Sequence, residues 1–181
     1  NMQDVLLEPY GGEVLGLSVS STTFLTALWA TGALAGFAYA AKRLSKGASP
    51  FRLAATGCLA GLAAFSAVIF SAPMGSPPLF FIGAGLIGFG GGLFAVATLM
   101  SAMTLPAEGL AGRGLALGAW GAAQATAAGI AIFAGGTIRD AVSATSLLDT
   151  LGPATGYSMV YHVEIALLFA TLAVLGPLVK L

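Results

Sequence analysis

The side chains able to do chemistry are few and widely spaced. His162 is the only histidine and Cys58 the only cysteine, so neither a Cys/His metal site nor an internal disulfide is available. No Ser, His and Asp fall into an arrangement that would activate a nucleophile, and there is no phosphate loop, so no catalytic residues are assigned and an enzyme is not expected. Gly83-x-Gly85-x-x-Gly88 matches the dinucleotide fingerprint letter for letter. That fingerprint works only as a turn between a parallel strand and a helix, whereas here it lies inside an apolar run from 79 to 103. The stretch Gly83 to Gly92 reads as a glycine-rich helix that hugs a neighbour or lines a space for a bulky flat ligand.

The polar residues inside apolar segments carry the remaining chemistry. Gln124 falls about midway along its segment and needs a partner across the bundle, which reads as interhelical glue more readily than as a ligand. His162 and Glu164, two apart on a helix, point in nearly opposite directions and form no paired site. Ser158 and Ala166, one turn either side of His162, leave room over its ring. A neutral imidazole with that room can ligate the magnesium of a chlorin; the alternative is a histidine hydrogen-bonded near the membrane interface. Tyr161 shares the Glu164 face and is expected to donate to the carboxylate, lessening the cost of burying it. In Gln3-Asp4-Val5-Leu6-Leu7-Glu8-Pro9-Tyr10-Gly11-Gly12, Asp4 and Glu8 stand four apart and share a helix face. Pro9 is expected to stop that helix and the glycine pair to reverse the chain, leaving a polar face at a membrane boundary.

Composition dictates what must position these residues. Hydrophobic residues make up 57% of the chain and charged ones 8%, too few charges for an ordinary water-facing surface. Lipid therefore replaces water, and the natural unit is a span of about 20 residues. The formal net charge is zero and the longest basic run is Lys42-Arg43, which excludes nucleic acid as a partner. Cys58, inside an apolar run, reads as a small buried filler.

Residues 1–8 read as the end of one helix whose beginning is absent, followed by five full spans at about 22–43, 51–70, 79–103, 115–135 and 156–176. Ser20-Ser21-Thr22 is expected to cap the first full span. Between the spans, 105–114 forms a loop with Glu108 and Arg113, and 137–155 a loop with Arg139, Asp140 and Asp149 in which 143–151 suits a short surface helix. Lys42, Arg43, Lys46, Arg52, Arg113 and Lys180 then share one side and Arg139 lies alone on the other, which puts the first group and the C-terminus in the cytoplasm. Four spans carry a glycine pair at i, i+4: Gly32 and Gly36, Gly57 and Gly61, Gly88 and Gly92, Gly114 and Gly118. Each pair opens a stripe along which two backbones approach closely.

The opening motif, the span from Thr22 to Phe37, Gly114-Leu115-Ala116-Leu117-Gly118-Ala119-Trp120-Gly121 and Gly156-Tyr157-Ser158-x-x-Tyr161-His162-x-Glu164 together resemble the PucC/LhaA family. These are major-facilitator-like membrane proteins of phototrophic bacteria. The resemblance runs nearly the whole chain and implies an all-α membrane protein, the C-terminal six-helix half of a major-facilitator-like fold. It further implies residence in the bacterial inner, intracytoplasmic photosynthetic membrane, antenna polypeptides and lipid as partners, and bacteriochlorophyll bound or carried. It supplies no set of pigment ligands. The residues themselves nominate His162, Gln124, Gly88 and Gly92 for pigment, and Gln3, Asp4, Glu8, Tyr10 and Glu164 for a partner or a structural motif.

Three functions remain distinct. An assembly factor that holds and delivers bacteriochlorophyll needs an apolar groove reachable from lipid. A secondary transporter of a small solute needs polar groups at mid-membrane, for which Gln124 alone is meagre. A permanent structural subunit of an antenna complex has the same composition as the first. The cation asymmetry predicts that, in intact cells, an impermeant thiol reagent labels Ser76→Cys and spares Ser45→Cys; the reverse pattern inverts the topology.

Overall fold

In a computed structural model, residues 1–104, 109–145 and 152–179 are described, with the side chains of 109–111 and 113 left aside. Every regular element among the described residues is helical: a 3-10 turn (Met2–Val5), then α1 (Leu7–Glu13), α2 (Val19–Leu44), α3 (Pro50–Ser71), α4 (Pro77–Met103), α5 (Gly109–Ser143) and α6 (Ala154–Val179). Five of these, α2 to α6, are long and apolar enough to cross a membrane. The protein is thus an all-α, multi-span bundle.

The opening segment departs from expectation. Pro9 does not end a helix; it sits in the first turn of α1, where backbone N–H groups have no intrahelical acceptor and a missing one costs nothing. The break falls at Leu6, between the 3-10 turn and α1. Gly11 and Gly12 continue α1, and the reversal uses Gly16 instead, at φ 65°. The cap of α2 also lies earlier than expected: Ser18 Oγ accepts from Ser21 N at 3.3 Å, while Thr22 is already helical. Lys42 and Arg43 occupy the last turn of α2, where cations meet the carbonyl end of the dipole. Gly47 and Gly75 take positive φ in the two short turns that follow α2 and α3, and prolines open α3 and α4.

α4 is the central helix, packed between α2 and α3. Its glycines separate by face. A Cβ on Gly88 would collide with the Trp29 carbonyl of α2, and one on Gly92 would lie 2.5 Å from Ala33 O. From the α2 side, Gly32 and Gly36 meet the Gly85 and Phe89 carbonyls of α4. Toward α3, Gly90 and Gly57 face each other, each added Cβ falling 2.7 Å from the other's carbonyl oxygen. Three of the four pairs therefore lie at helix crossings, with Gly61 set against the Leu168 side chain of α6. Gly114 and Gly118 do not follow: added Cβ atoms there meet nothing within 4 Å. Their helix keeps one long face uncovered, with Phe133 76% exposed, as a surface toward lipid or further protein requires.

α5 also runs past the expected end at 135, so Arg139 and Asp140 stand in its last turns rather than in a loop. α6 packs on α3 and α5, and Gly156 lets it sit close to Arg139 O at 3.0 Å from an added Cβ. Ser143 is the last residue of α5 and 144–145 leave it in a turn, where a surface helix was expected to begin; the remainder of that expected helix, 146–151 with Asp149, and also Glu108 and Lys180 lie outside the described residues.

The glycine crossings predict that Gly32→Ala lowers stability by about 1–3 kcal/mol, the cost of overpacking, whereas Gly118→Ala, in open space, does not lower it and raises it by up to about 1 kcal/mol, the helix-propensity gain over glycine. Thermal unfolding of the detergent-solubilised protein measures both.

Candidate functional site

Because the bare stripes of α4 are taken up by α2 and α3, one further glycine is left facing open space. Gly91 meets nothing within 4 Å and forms part of the floor of a cavity of about 430 Å³. Trp29 and Phe37 of α2, Phe65 of α3 and Phe94 of α4 line it. Leu167 and Leu168 of α6 close another side. Trp29, Phe37 and Leu167 stay 37–49% exposed, so the cavity opens between α2 and α6. Its volume is in the range of small-molecule sites, and its apolar lining with few polar groups matches their usual make-up.

Besides Asn1 and Thr171, polar groups reach the cavity from three separate elements: Gln3 of the 3-10 turn, Gln124 of α5 and Glu164 of α6. Glu164 is only 7% exposed. One of its oxygens, Oε1, accepts from Met2 N at 2.6 Å and from the Asn1 nitrogen at 3.0 Å. The expected donor to Glu164, Tyr161, is not used; its hydroxyl is buried without a partner among the described residues, because the ring is drawn into the aromatic core. Gln3 donates from Nε2 to Asp4 Oδ1 at 2.8 Å and leaves Oε1 buried with no donor among the described residues. Gln124 shows no side-chain hydrogen bond among the described residues, so the interhelical glue expected of it is not what this bundle forms. The glue is instead the indole of Trp120, which donates to Thr98 Oγ1 of α4 at 3.2 Å.

Gly88 and Gly92 reach the cavity's edge, but their bare α-carbons serve the crossing with α2. His162 lies elsewhere. It is exposed, does not line the cavity, and its Nδ1 donates to Ser158 O at 2.6 Å, which leaves the lone pair on Nε2.

The opening motif divides among three surroundings. Gln3 belongs to the cavity. Asp4 and Glu8 share one side, as their spacing suggested, despite the break at Leu6: both line a second groove of about 410 Å³ with Leu25, Thr26 and Trp29, and Thr26 Oγ1 donates to Glu8 Oε1. Tyr10 is fully buried. Its ring meets Phe80 at 5.3 Å and, edge-on, Tyr157 at 5.5 Å and Tyr161 at 5.6 Å, while its hydroxyl donates to Val68 O at 3.2 Å.

One cluster was not expected from the sequence. Arg139 Nη2 donates to Glu13 Oε2 and to Tyr157 Oη, both at 2.8 Å, and Tyr157 Oη donates to the same Glu13 oxygen at 2.6 Å. The guanidinium also lies 4.9 Å from the centre of the Tyr157 ring. This network ties α1 to α5 and α6 at one end of the bundle. Its only sequence signal was charge at the end of an apolar segment.

Fold and site together define a polytopic membrane protein with a half-open apolar cavity and a buried carboxylate. A family model described as PUCC protein matches residues 1–181, and the chain belongs to that family. Among its relatives are an "uncharacterized protein in puhA-bchM intergenic region" of Rhodobacter capsulatus, 58% identical over 99% of this chain and 38% of its own length, and "Protein PucC" of Cereibacter sphaeroides, 47% identical over 99% of this chain and 39% of its own. A "bacteriochlorophyll synthase 44.5 kDa chain" of Rhodobacter capsulatus is 34% identical over 97% of this chain and 40% of its own. The chain thus spans about two fifths of the length of these curated relatives. No solved structure matches it significantly.

Tyr10 joins the opening segment to three helices, so Tyr10→Ala is expected to cost about 3–5 kcal/mol, as large-to-small aromatic changes in a core do. Arg139→Met breaks partly exposed contacts and should cost about 1 kcal/mol or less. Melting temperatures in detergent give the ranking.

Proposed function

We propose that the chain is the part of a light-harvesting assembly factor that holds bacteriochlorophyll in the membrane and hands it to antenna polypeptides. The observation that carries this reading is the cavity over Gly91, read together with membership of the PUCC family. A flat, greasy macrocycle needs one bare surface against which to lie, aromatic side chains to stack on and an opening toward lipid. Gly91 supplies the first, Trp29, Phe37, Phe65 and Phe94 the second, and the gap between α2 and α6 the third. The cavity is open on one side and does not enclose such a ring, which suits a carrier that must release its load. His162, exposed and outside the cavity, keeps a free Nε2 and suits a contact at the protein's surface.

A secondary transporter is the second reading. What favours it is the convergence of Gln3, Gln124 and Glu164 on one cavity, a richer polar set than Gln124 alone. Against it, the cavity's other lining side chains are almost all apolar, and no lysine or arginine is among them within the described residues.

The test is the absorption spectrum of the full-length protein, purified gently from pigment-producing cells. Bacteriochlorophyll is expected to copurify, and Gly91→Leu, which fills open space and replaces a poor helix former by a good one, should lower the bound pigment to about a tenth, a loss of about 1.4 kcal/mol in binding, at unchanged protein abundance. Pigment-free wild-type protein that accumulates a polar solute in vesicles would establish the transporter instead.

A further inference from the structure

Glu164 holds an arrangement that the packing of the bundle does not explain. A carboxylate in a membrane bundle costs several kcal/mol unless its charge is compensated. Oε1 is compensated by the Met2 and Asn1 nitrogens. Oε2 accepts nothing among the described residues, and no lysine or arginine lines the cavity. Arg139 is already engaged by Glu13, Asp140 and Tyr157. Gln3, 6% exposed and lining the same cavity, leaves Oε1 buried without a donor among the described residues. Buried polar atoms are nearly always paired, so the orphaned Gln3 oxygen, on the same cavity as the unbonded Glu164 Oε2, points to an electropositive ligand there.

Resting on the pigment-holding reading above, we propose that Glu164 Oε2 is the oxygen donor that takes the central magnesium of the tetrapyrrole held in this cavity, with Gln3 and Gln124 flanking it. Magnesium is a hard cation that prefers oxygen, carboxylate above all. The ion meets the carboxylate oxygen left without a hydrogen bond among the described residues, and the carboxylate supplies a donor that selects the metallated pigment over its metal-free form.

Glu164→Gln isolates this role. The two backbone nitrogens that hold Oε1 accept no hydrogen bond, so the amide oxygen must take the Oε1 position and the NH2 group turns to the place of Oε2. The anchoring of the opening segment survives, but an amide nitrogen has no lone pair for a metal. The experiment titrates the purified full-length protein with bacteriochlorophyll and, separately, with the same pigment demetallated by acid. Wild-type protein is expected to bind the magnesium form about tenfold more tightly. In Glu164→Gln that preference should shrink to within about twofold, with binding of the metal-free pigment unchanged. His162→Leu, outside the cavity, should keep the preference, and this variant decides the matter where Glu164→Gln fails to insert: loss of preference in His162→Leu overturns the assignment to Glu164. Equal binding of the two pigments by wild-type protein, or an undiminished preference in folded Glu164→Gln, overturns it too while leaving pigment holding intact. Binding of neither pigment overturns pigment holding itself.

Discussion

The constraint on which this bundle depends is the approach of α4 to α2 and α3 at backbone distance. In a bilayer no hydrophobic effect drives helices together, so dispersion between closely fitted surfaces must do so. At Gly32, Gly36, Gly88 and Gly92 on one crossing and Gly57 and Gly90 on the other, a single methyl group would strike a carbonyl oxygen. These contacts lock α4 between its neighbours and thereby fix which of its faces is left over. Gly91 lies on that face, so the floor of the cavity is a by-product of the packing that builds the bundle. The same residue type does two jobs, and only the surroundings of each glycine separate them.

A second dependency runs through the opening segment, which has few contacts of its own and is held by side chains from distant helices. Glu164 of α6 takes its backbone nitrogens at one end, Gly135 of α5 makes room for Met2, Tyr10 enters the aromatic core, and Arg139 with Tyr157 holds Glu13 at the other end. The segment thereby places Gln3 at the cavity and Asp4 with Glu8 at the neighbouring groove. A ligand that engages Glu164 would be felt by this segment first, because both draw on the same carboxylate.

The helical elements were legible because length, apolarity and glycine spacing are local properties. The dinucleotide look-alike was dismissed for the same reason: its glycines fall inside α4, which runs unbroken from Pro77 to Met103. What the sequence concealed was rotation. Nothing in the order of residues reveals that Glu164 faces Met2, 162 positions away, or that Arg139 reaches Glu13, 126 positions away. Tyr161 was paired with Glu164 on helical spacing alone, whereas the core claimed its ring. Within Gly83 to Gly92 the sequence does not single out Gly91, which belongs to no i, i+4 pair on a crossing. Pro9 was misread because a proline that ends one helix and a proline in the first turn of the next leave the same trace in a sequence; only Leu6 shows where the break lies.

The account turns on where a pigment sits. An electron cryomicroscopy map of the full-length protein, isolated with its pigment, measures this directly. The account predicts planar density between α2 and α6, lying over Gly91 with its centre toward Glu164. Planar density at His162 on the outer surface, with the cavity filled only by lipid or solvent, would contradict it.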